Sequence, residues 1–259
     1  MNYRMISCAV ASLCAGRLFA AVAIPVIQWA PGDHNRPQPA QVAPGTFSTQ
    51  AQPGTPPSDA AVLFDGADLS AWQHSDGKPA DWSVRDGYFE VKARSGDIDT
   101  KRAFGDCQLH VEWAAPDAPR GSDQTPGNSG VYLMTLYEIQ VLESFKNRTY
   151  PDGQAGSVYC QYPPLVNASL PPRVWQTYDI VFHGPRFSSS GELTRLATVT
   201  LLHNGVLVRD HVSLTGPTDW LKRPPYKAHA AKMPLRLQDH GQPARFRNIW
   251  IREIPEPEQ

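Results

Sequence analysis

The stretch YEIQVLES, from Tyr137 to Ser144, combines two carboxylates and an amide on what the pattern predicts is one short strand. Paired carboxylates are the usual machinery for cleaving glycosidic bonds. Side chains alternate along a strand, so Glu138 and Gln140 share one face, and Glu143 lies on the other face unless a bulge intervenes. The stretch indicates either the working edge of a carbohydrate-cleaving enzyme or only the polar face of a sheet.

Other predicted strands alternate apolar and polar side chains in the same way. Amide, phenol, imidazole and carboxylate groups offer both the donors and the acceptors that sugar hydroxyls need. A solvated outer face would alternate identically, so a shared binding surface depends on these rows lying in one sheet. The rows are Gln108, His110 and Glu112 in CQLHVEW, Asn128, Tyr132 and Met134 in NSGVYLM, and Arg236, Gln238 and His240 in LRLQDH.

Short strand-like segments recur between turn residues from about Val62 onwards, in a chain with 25 prolines and 19 glycines. Ten or more strands over about 195 residues predict an all-β fold, either a two-sheet sandwich or a jelly roll. In TVTLLHNGVLVRDH, both Asn204 and Gly205 tolerate positive φ, which predicts a tight hairpin.

The N-terminal part of the chain predicts export. Residues 1–23 contain an early Arg, an apolar run and the sequence AVA, which is typical of a secretory signal, although Arg17 interrupts the run. A frayed apolar N-terminus or a misplaced start codon is the alternative. Residues 24–60 are rich in Pro, Gln, Ala and Gly and predict a disordered linker, followed by a folded domain at 61–255. We expect a periplasmic or secreted protein with no integral membrane span.

Charge and cysteine content limit the partners and the redox chemistry. Lys plus Arg number 24 and Asp plus Glu number 25, so no basic field would attract nucleic acid. Cys8 and Cys14 lie inside the predicted signal, which leaves Cys107 and Cys160 in the mature chain. We expect two buried free thiols there, with one disulfide as the alternative.

Several blocks, in order along the domain, carry a family resemblance: FDGADLSAW, WSVRDGYFEV, GNSGVYLM, YEIQVLES, GQAGSVYCQYPPLVNAS and LQDHGQPARFRNIWIREI. Together they resemble the 3-keto-disaccharide hydrolase family, long catalogued as a domain of unknown function. The resemblance implies a concanavalin A-like jelly-roll sandwich of two antiparallel sheets with a concave carbohydrate-binding face. It also implies a bacterial enzyme that cleaves glycosides already oxidised at C3 of the sugar.

A 3-keto group makes the C2 proton acidic and turns the C1 oxygen into a β-leaving group, so cleavage can proceed by elimination and then hydration. Such a reaction needs a base near C2 and donors or a metal at the ketone oxygen. On this reading Glu138 is the base or a metal ligand, and His240 polarises the ketone or moves a proton. Gln140 and Gln238 are expected to bind sugar hydroxyls.

Further residues are candidates for substrate binding. Arg102, in TKRAFGDC, could add positive charge beside an enolate, and a surface Arg at a strand end is an equal alternative. Asn167 lies on a loop, where polar residues often bind ligands. Asp239 is expected to face the core and to pair with Arg245 or Arg247. The complete set of substrate-binding candidates is Gln140, Gln238, Asn128, Tyr132, Asn167, Arg102 and Glu112.

Two other functions fit the same residues. A non-catalytic glycan-binding module would use the same fold and would not need Glu138. A conventional glucanase would use Glu138 with Glu143, in a spacing close to the ExDxxE pattern of laminarinase-type enzymes. The cofactor is undetermined, although Glu138 and His240 could supply oxygen and nitrogen ligands to a divalent metal. The sequence does not determine the oligomeric state.

Overall fold

The computed structural model describes residues 29–255. Residues 29–39 belong to one unit, in which turns connect Ala30, Asp33 and Arg36. Residues 40–255 form a second unit with all the strands and one 3₁₀ turn at Pro151–Gly153. The strands are β1 Ala61–Phe64, β2 Trp72–His74, β3 Ser83–Arg85, β4 Tyr88–Glu90, β5 Ile98–Phe104, β6 Cys107–Ala114, β7 Ser129–Leu133, β8 Tyr137–Val141, β9 Gln176–His183, β10 Arg186–Phe187, β11 Leu193–Arg195, β12 Thr198–His203, β13 Val206–Ser213, β14 Met233–Leu237 and β15 Arg245–Glu253.

The strands form two main antiparallel sheets. The larger sheet has eight strands in the order β13-β12-β9-β6-β15-β4-β3, with β1 also pairing with β15. The smaller sheet has five strands in the order β2-β5-β14-β7-β8, and β10 and β11 form a separate ribbon. This architecture confirms the predicted all-β sandwich of the jelly-roll type.

The core lies between the inner faces of the two sheets. In β6, Leu109, Val111 and Trp113 are fully buried, and in β8, Ile139 and Val141 are buried with them in one apolar cluster. Each such side chain contributes about 1.5–3 kcal/mol through burial. The strand alternation read from the sequence therefore orients the polar partners of these residues away from the core.

The predicted hairpin is confirmed. Asn204 and Gly205 have φ values of 53° and 75° and connect β12 to β13. The same alternation rule was wrong for Met134, because β7 ends at Leu133 and the chain turns through Met134 with a φ of 55°. Met134 consequently packs into the core instead of facing outward with Tyr132.

The expected disordered linker does not hold for residues 40–60. Gln50 exchanges two hydrogen bonds with the backbone of Trp175, at 2.8 and 2.9 Å, and Arg247 donates to the carbonyl oxygens of Thr49 and Gln50. Composition predicted disorder because this segment has little apolar surface to bury. Hydrogen bonds to partly buried polar groups of the larger sheet hold it instead.

Within residues 29–255, Cys107 and Cys160 are buried free thiols, as predicted. No helix in this described range is long and apolar enough to cross a membrane. The predicted signal at residues 1–23, with Cys8 and Cys14, lies outside the described residues.

Candidate active site

A cavity of about 680 Å³ opens on the face of the smaller sheet where β7, β8 and β14 lie side by side. Six of the residues predicted from the sequence line it. They come from three strands and the segments that flank them, so the pairing of β7 with both neighbours assembles the site. The lining residues are Asp123, Gln124, Asn128, Tyr132, Glu138, Gln140, Tyr150, Tyr159, Thr218, Asp219, Trp220, Leu221, Gln238 and His240.

Strand register sets the arrangement of the acid and its neighbours. Glu138 of β8 lies opposite Tyr132 of β7, and Gln140 lies opposite Gly130. Side chains that lie directly opposite on antiparallel strands approach within interaction distance. The Tyr132 hydroxyl donates a hydrogen bond of 2.8 Å to Oε2 of Glu138.

Glu138 has an electrostatic environment suited to a base. Its side chain is buried, with 3% of the residue exposed. Burial raises the pKa of Glu138 to about 8, the Tyr132 hydrogen bond opposes this rise, and the nearby charge of Asp97 adds to it. A general base works best when its pKa lies near the working pH. With a pKa of about 8, Glu138 can accept a proton at mildly alkaline pH.

The Gln140 amide contacts this carboxyl directly. One end of the amide lies 3.0 Å from Oε1 of Glu138, and in the alternative orientations its nitrogen donates either to Glu138 and Ser129 or to Gln124. An ionised Glu138 accepts from the amide nitrogen, whereas a protonated Glu138 donates to the amide oxygen. The orientation that places the amide nitrogen 3.0 Å from Glu138 Oε1 and 3.1 Å from the Ser129 carbonyl oxygen gives it two acceptors.

Gln238 and His240 approach the cavity from the end of β14. Gln238 Nε2 donates to the Tyr132 hydroxyl at 3.2 Å, and its backbone N–H donates to the Gly130 carbonyl. Gln238 Oε1 is buried and accepts no hydrogen bond within residues 29–255. His240 is exposed on the segment that follows β14. Asn128 completes this wall and donates to the backbone oxygen of Gln124.

The sequence profile of the 3-keto-alpha-glucoside-1,2-lyase-like domain matches residues 59–252. The chain belongs to this family. Membership agrees with the buried carboxyl and the polar cavity, and it supports a glycoside-acting enzyme. A search of the curated proteins found no match.

Solved structures similar to this family member come from Parabacteroides distasonis ATCC 8503. A candidate glycosyl hydrolase at 2.13 Å resolution is 45% identical, with a TM-score of 0.82, and the match covers 86% of this chain and 95% of that one. A second at 1.70 Å is 20% identical, with a TM-score of 0.56 and coverage of 76% and 94%. A third at 2.00 Å is 19% identical, with a TM-score of 0.53 and coverage of 75% and 99%. The last two show the shared fold alone.

The structure of this lyase-like domain adds residues that sequence reasoning missed. A Cβ on Gly130 would lie 2.5 Å from Oε1 of Glu138, so only glycine leaves room for the carboxyl. Glycine inside a strand marks such close approach, and this signal was present in GNSGVY. The sequence pattern around three other cavity residues did not indicate a site. The hydroxyls of Tyr150 and Tyr159 are 2.7 Å apart, and Thr218 accepts a hydrogen bond from the Glu138 backbone N–H at 3.0 Å.

Two predicted substrate-binding residues lie elsewhere in the domain. Arg102 is exposed, pairs with Glu253 and lies over the Phe104 ring, as the surface-Arg alternative expected. Asn167 donates to the Ser144 carbonyl at 2.7 Å and accepts from the Ser169 N–H at 3.0 Å. These contacts organise a strand end and a loop, and neither residue lines the cavity.

Glu112 is also separate from the cavity, because β6 belongs to the larger sheet. Its carboxylate is fully buried and accepts from Arg247 Nε at 2.6 Å and from Asn248 at 2.7 Å. Burial opposes ionisation, but hydrogen bonds from His110, Ser48 and Asn248 outweigh it and hold the pKa of Glu112 at about 2. The polar row on β6 therefore forms a structural ion cluster, and the condition for one binding surface, that all the polar rows lie in one sheet, is not met.

Two further acids, Glu143 and Asp239, are not among the residues that line the cavity. Glu143 does not line the cavity, and its Oε1 accepts from the Phe145 N–H at 2.9 Å. Asp239 was predicted to pair with Arg245 or Arg247, which was wrong. Its carboxylate accepts from the N–H groups of Gly96 and Gly241 instead, because β14 ends at Leu237 and strand alternation stops there.

A divalent metal would find few protein ligands here. Glu138 and His240 both line the cavity, yet residues 29–255 contain no group of three or more His, Cys, Asp or Glu side chains arranged to hold a metal ion. An ion bound at this pair would need its remaining ligands from substrate and water. Glu138 and His240 could therefore hold such an ion only in an open site that substrate and water complete.

Proposed function

We propose that this protein cleaves 3-keto-glycosides by abstracting the C2 proton and eliminating the C1 substituent, with Glu138 as the base. The observation that carries this proposal is a buried carboxyl whose pKa is raised to about 8, facing a cavity lined by amides and phenols. Elimination from a 3-keto sugar requires one such base. Sugar hydroxyls require donors and acceptors of the kind that Gln140, Gln238 and Asn128 provide.

In the first step, Glu138 takes the proton from C2, and the C2–H electron pair forms the enolate with the C3 ketone. The enolate then expels the C1 oxygen, so that the C1–O bond breaks, a C1–C2 double bond forms and the C3 ketone returns. The leaving oxygen takes a proton. Addition of water, with the hydroxyl at C1 and the proton at C2, gives the free 3-keto sugar.

His240 is the proposed partner for the ketone or for proton transfer to the leaving oxygen. It lines the cavity, it is exposed, and a protonated imidazole can donate to a developing oxyanion. No Lys or Arg is among the residues that line this described cavity, so His240 is the side chain there able to bring positive charge. Glu138 and His240 are the residues that would hold a divalent metal, and such an ion would supply positive charge for an enolate oxygen.

The competing functions differ from this proposal in which residues they require. A glucanase pairing Glu138 with Glu143 needs both acids at one bond, and Glu143 is bonded to its own loop outside the cavity. A glycan-binding module would not require a buried carboxyl with a raised pKa. The position of Glu138 thus favours a catalytic site over both.

The decisive experiment is incubation of the purified protein with 3-keto-trehalose and 3-keto-glucosides, with and without added Mn²⁺, Zn²⁺ or Ca²⁺. Release of 3-keto-glucose is expected, and exchange of the C2 hydrogen with deuterium from D₂O would report the abstraction step. Glu138→Gln should abolish both, and Glu143→Gln should retain both. Absence of turnover under every metal condition, or hydrolysis of unoxidised β-glucans, would rule out the proposal.

We also propose that the enzyme acts in the periplasm or outside the cell. The signal-like sequence of residues 1–23 supports this location. Expression of the full chain in a bacterium, followed by fractionation and N-terminal sequencing, should give a mature protein that starts after Ala23. Retention of an uncleaved chain in the cytoplasm would contradict it.

A further inference from the structure

The rim of the cavity carries two large apolar side chains that the core does not use. Trp220 is 65% exposed and Leu221 is 69% exposed, and both line the same cavity as Glu138. Adjacent exposed apolar residues beside a polar cavity are typical of a ligand contact. They form a pair that faces solvent at the opening.

The segment that carries this pair is held against the active-site strand. Thr218 donates its backbone N–H to the Leu136 carbonyl at 3.0 Å, and its Oγ1 accepts from the N–H of Glu138. Leu221 has a φ of 53°, which is unfavourable for a side chain of its size, and Asp219 bridges to Lys222 across the turn. The turn that carries Trp220 and Leu221 is therefore anchored to the strand of the proposed base.

We propose that Trp220 and Leu221 form a leaving-group subsite, and that the substrates are uncharged 3-keto-glycosides of flat, apolar alcohols, above all aromatic ones. This inference rests on the proposed function. The oxidised sugar must bring C2 to the buried carboxyl of Glu138, where amides and phenols meet its hydroxyls. The C1 substituent then extends toward the opening, where Trp220 and Leu221 provide apolar surface.

The charged groups at the rim argue against an anion in this position. The Asp219 carboxylate is 3.6 Å from Lys222, and Asp123 accepts a hydrogen bond from Thr149. Apart from His240, the charged side chains that line the described cavity are the acids Asp123, Glu138 and Asp219. An aromatic ring stacks on an indole without needing hydrogen-bond partners.

The test compares the 3-keto-glucosides of phenol and methanol, in both anomeric forms, with 3-keto-trehalose. Trp220→Ala should raise KM for the phenyl compound about tenfold and change KM for the methyl compound less than about twofold. Trp220→Phe should retain most of the preference. Phe47→Ala removes a fully exposed aromatic outside this cavity and should leave both values unchanged. A 4-carboxyphenyl leaving group should bind the wild type more weakly than phenyl.

Equal losses for phenyl and methyl compounds in Trp220→Ala would overturn the subsite, as would a larger loss for 3-keto-trehalose or equal binding of the carboxylated ring. If the wild type turns over no 3-keto-glycoside, the proposed function fails, and the subsite is then tested by calorimetry with unoxidised phenyl and methyl glucosides. Preferential binding of the phenyl compound that Trp220→Ala abolishes would support the subsite. No preference in the wild type would overturn it.

Discussion

The hydroxyl of Tyr132 and the carboxyl of Glu138 meet across the β7–β8 pair in a hydrogen bond of 2.8 Å. The phenol stabilises the ionised form of the acid, while burial, the larger effect, disfavours that form and raises the pKa of Glu138 to about 8. Burial and this hydrogen bond, acting in opposite directions, therefore set how much of the proposed base is ionised at neutral pH.

Tyr132→Phe should shift the pH dependence of the reaction. Loss of the hydrogen bond to the carboxylate raises the pKa of Glu138 further, so the rising limb of kcat/KM, expected near pH 8, should move to higher pH. The measurement is a pH profile of 3-keto-glucoside cleavage. Tyr162→Phe, whose hydroxyl bonds to the Ser213 carbonyl away from the cavity, should leave the limb in place. An unshifted limb in Tyr132→Phe would contradict the assignment of Glu138.

Glu138→Gln should remove activity and stabilise the fold at alkaline pH. The pKa of this acid rises from 4.5 to about 8 on folding, so its contribution to stability is complete below about pH 4.5 and is lost as pH rises through about 8. A neutral amide avoids that loss, which is about 3–5 kcal/mol. Thermal unfolding should show equal stabilities near pH 4.5 and a more stable variant at pH 9. A constant difference across this range would show that folding does not raise the pKa of Glu138.

Gly130→Ala should displace the proposed base. Its new Cβ would lie 2.5 Å from Oε1 of Glu138 and 2.8 Å from the Tyr132 ring, so the carboxyl or the strand must move. A displacement of about 1 Å costs roughly a hundredfold in kcat/KM. Gly184→Ala is the matched control, because its Cβ would meet the flexible end of Met134 at 3.1 Å. Full activity in Gly130→Ala would mean that Glu138 does not act from this position.

Arg247→Met should destabilise the protein without changing its chemistry. It would leave Glu112 buried with its close ion pair removed, which costs about 3–5 kcal/mol, and would release the carbonyl contacts to Thr49 and Gln50. Urea unfolding measures the loss, and Arg102→Met on an exposed pair should change little. Because this cluster belongs to the larger sheet, kcat/KM should stay within about twofold of wild type. Lost activity with unchanged stability would place the cluster in the reaction instead.

Local pattern predicted many of the strands, the hairpin and six of the residues that line the candidate site. Alternation oriented Glu138 and Gln140 opposite to Ile139 and Val141 because successive side chains on a strand point to opposite faces. The same rule failed at Met134 and Asp239, since both lie just beyond a strand end where alternation no longer applies.

Residues 40–60 show a second limit of local pattern. Their composition predicted disorder, yet a hydrogen bond joins Arg247 to the carbonyl oxygen of Gln50, 197 residues away in the sequence. Gly45 and Gly54 allow this segment to fold closely on itself, since a Cβ on either would lie 2.4 Å or 2.0 Å from a backbone oxygen. A contact between residues so far apart in the sequence cannot be predicted from the composition of a short segment.

The sequence by itself determined the all-β class, the family and the acid on which the proposed chemistry depends, because strand period and family motifs are local properties. Only the tertiary structure decided which polar rows share a sheet: strand order brought Tyr132, Glu138 and Gln238 together and left Glu112 in the other sheet. The raised pKa of Glu138 also belongs to the tertiary structure, since it results from burial among residues that are distant in sequence.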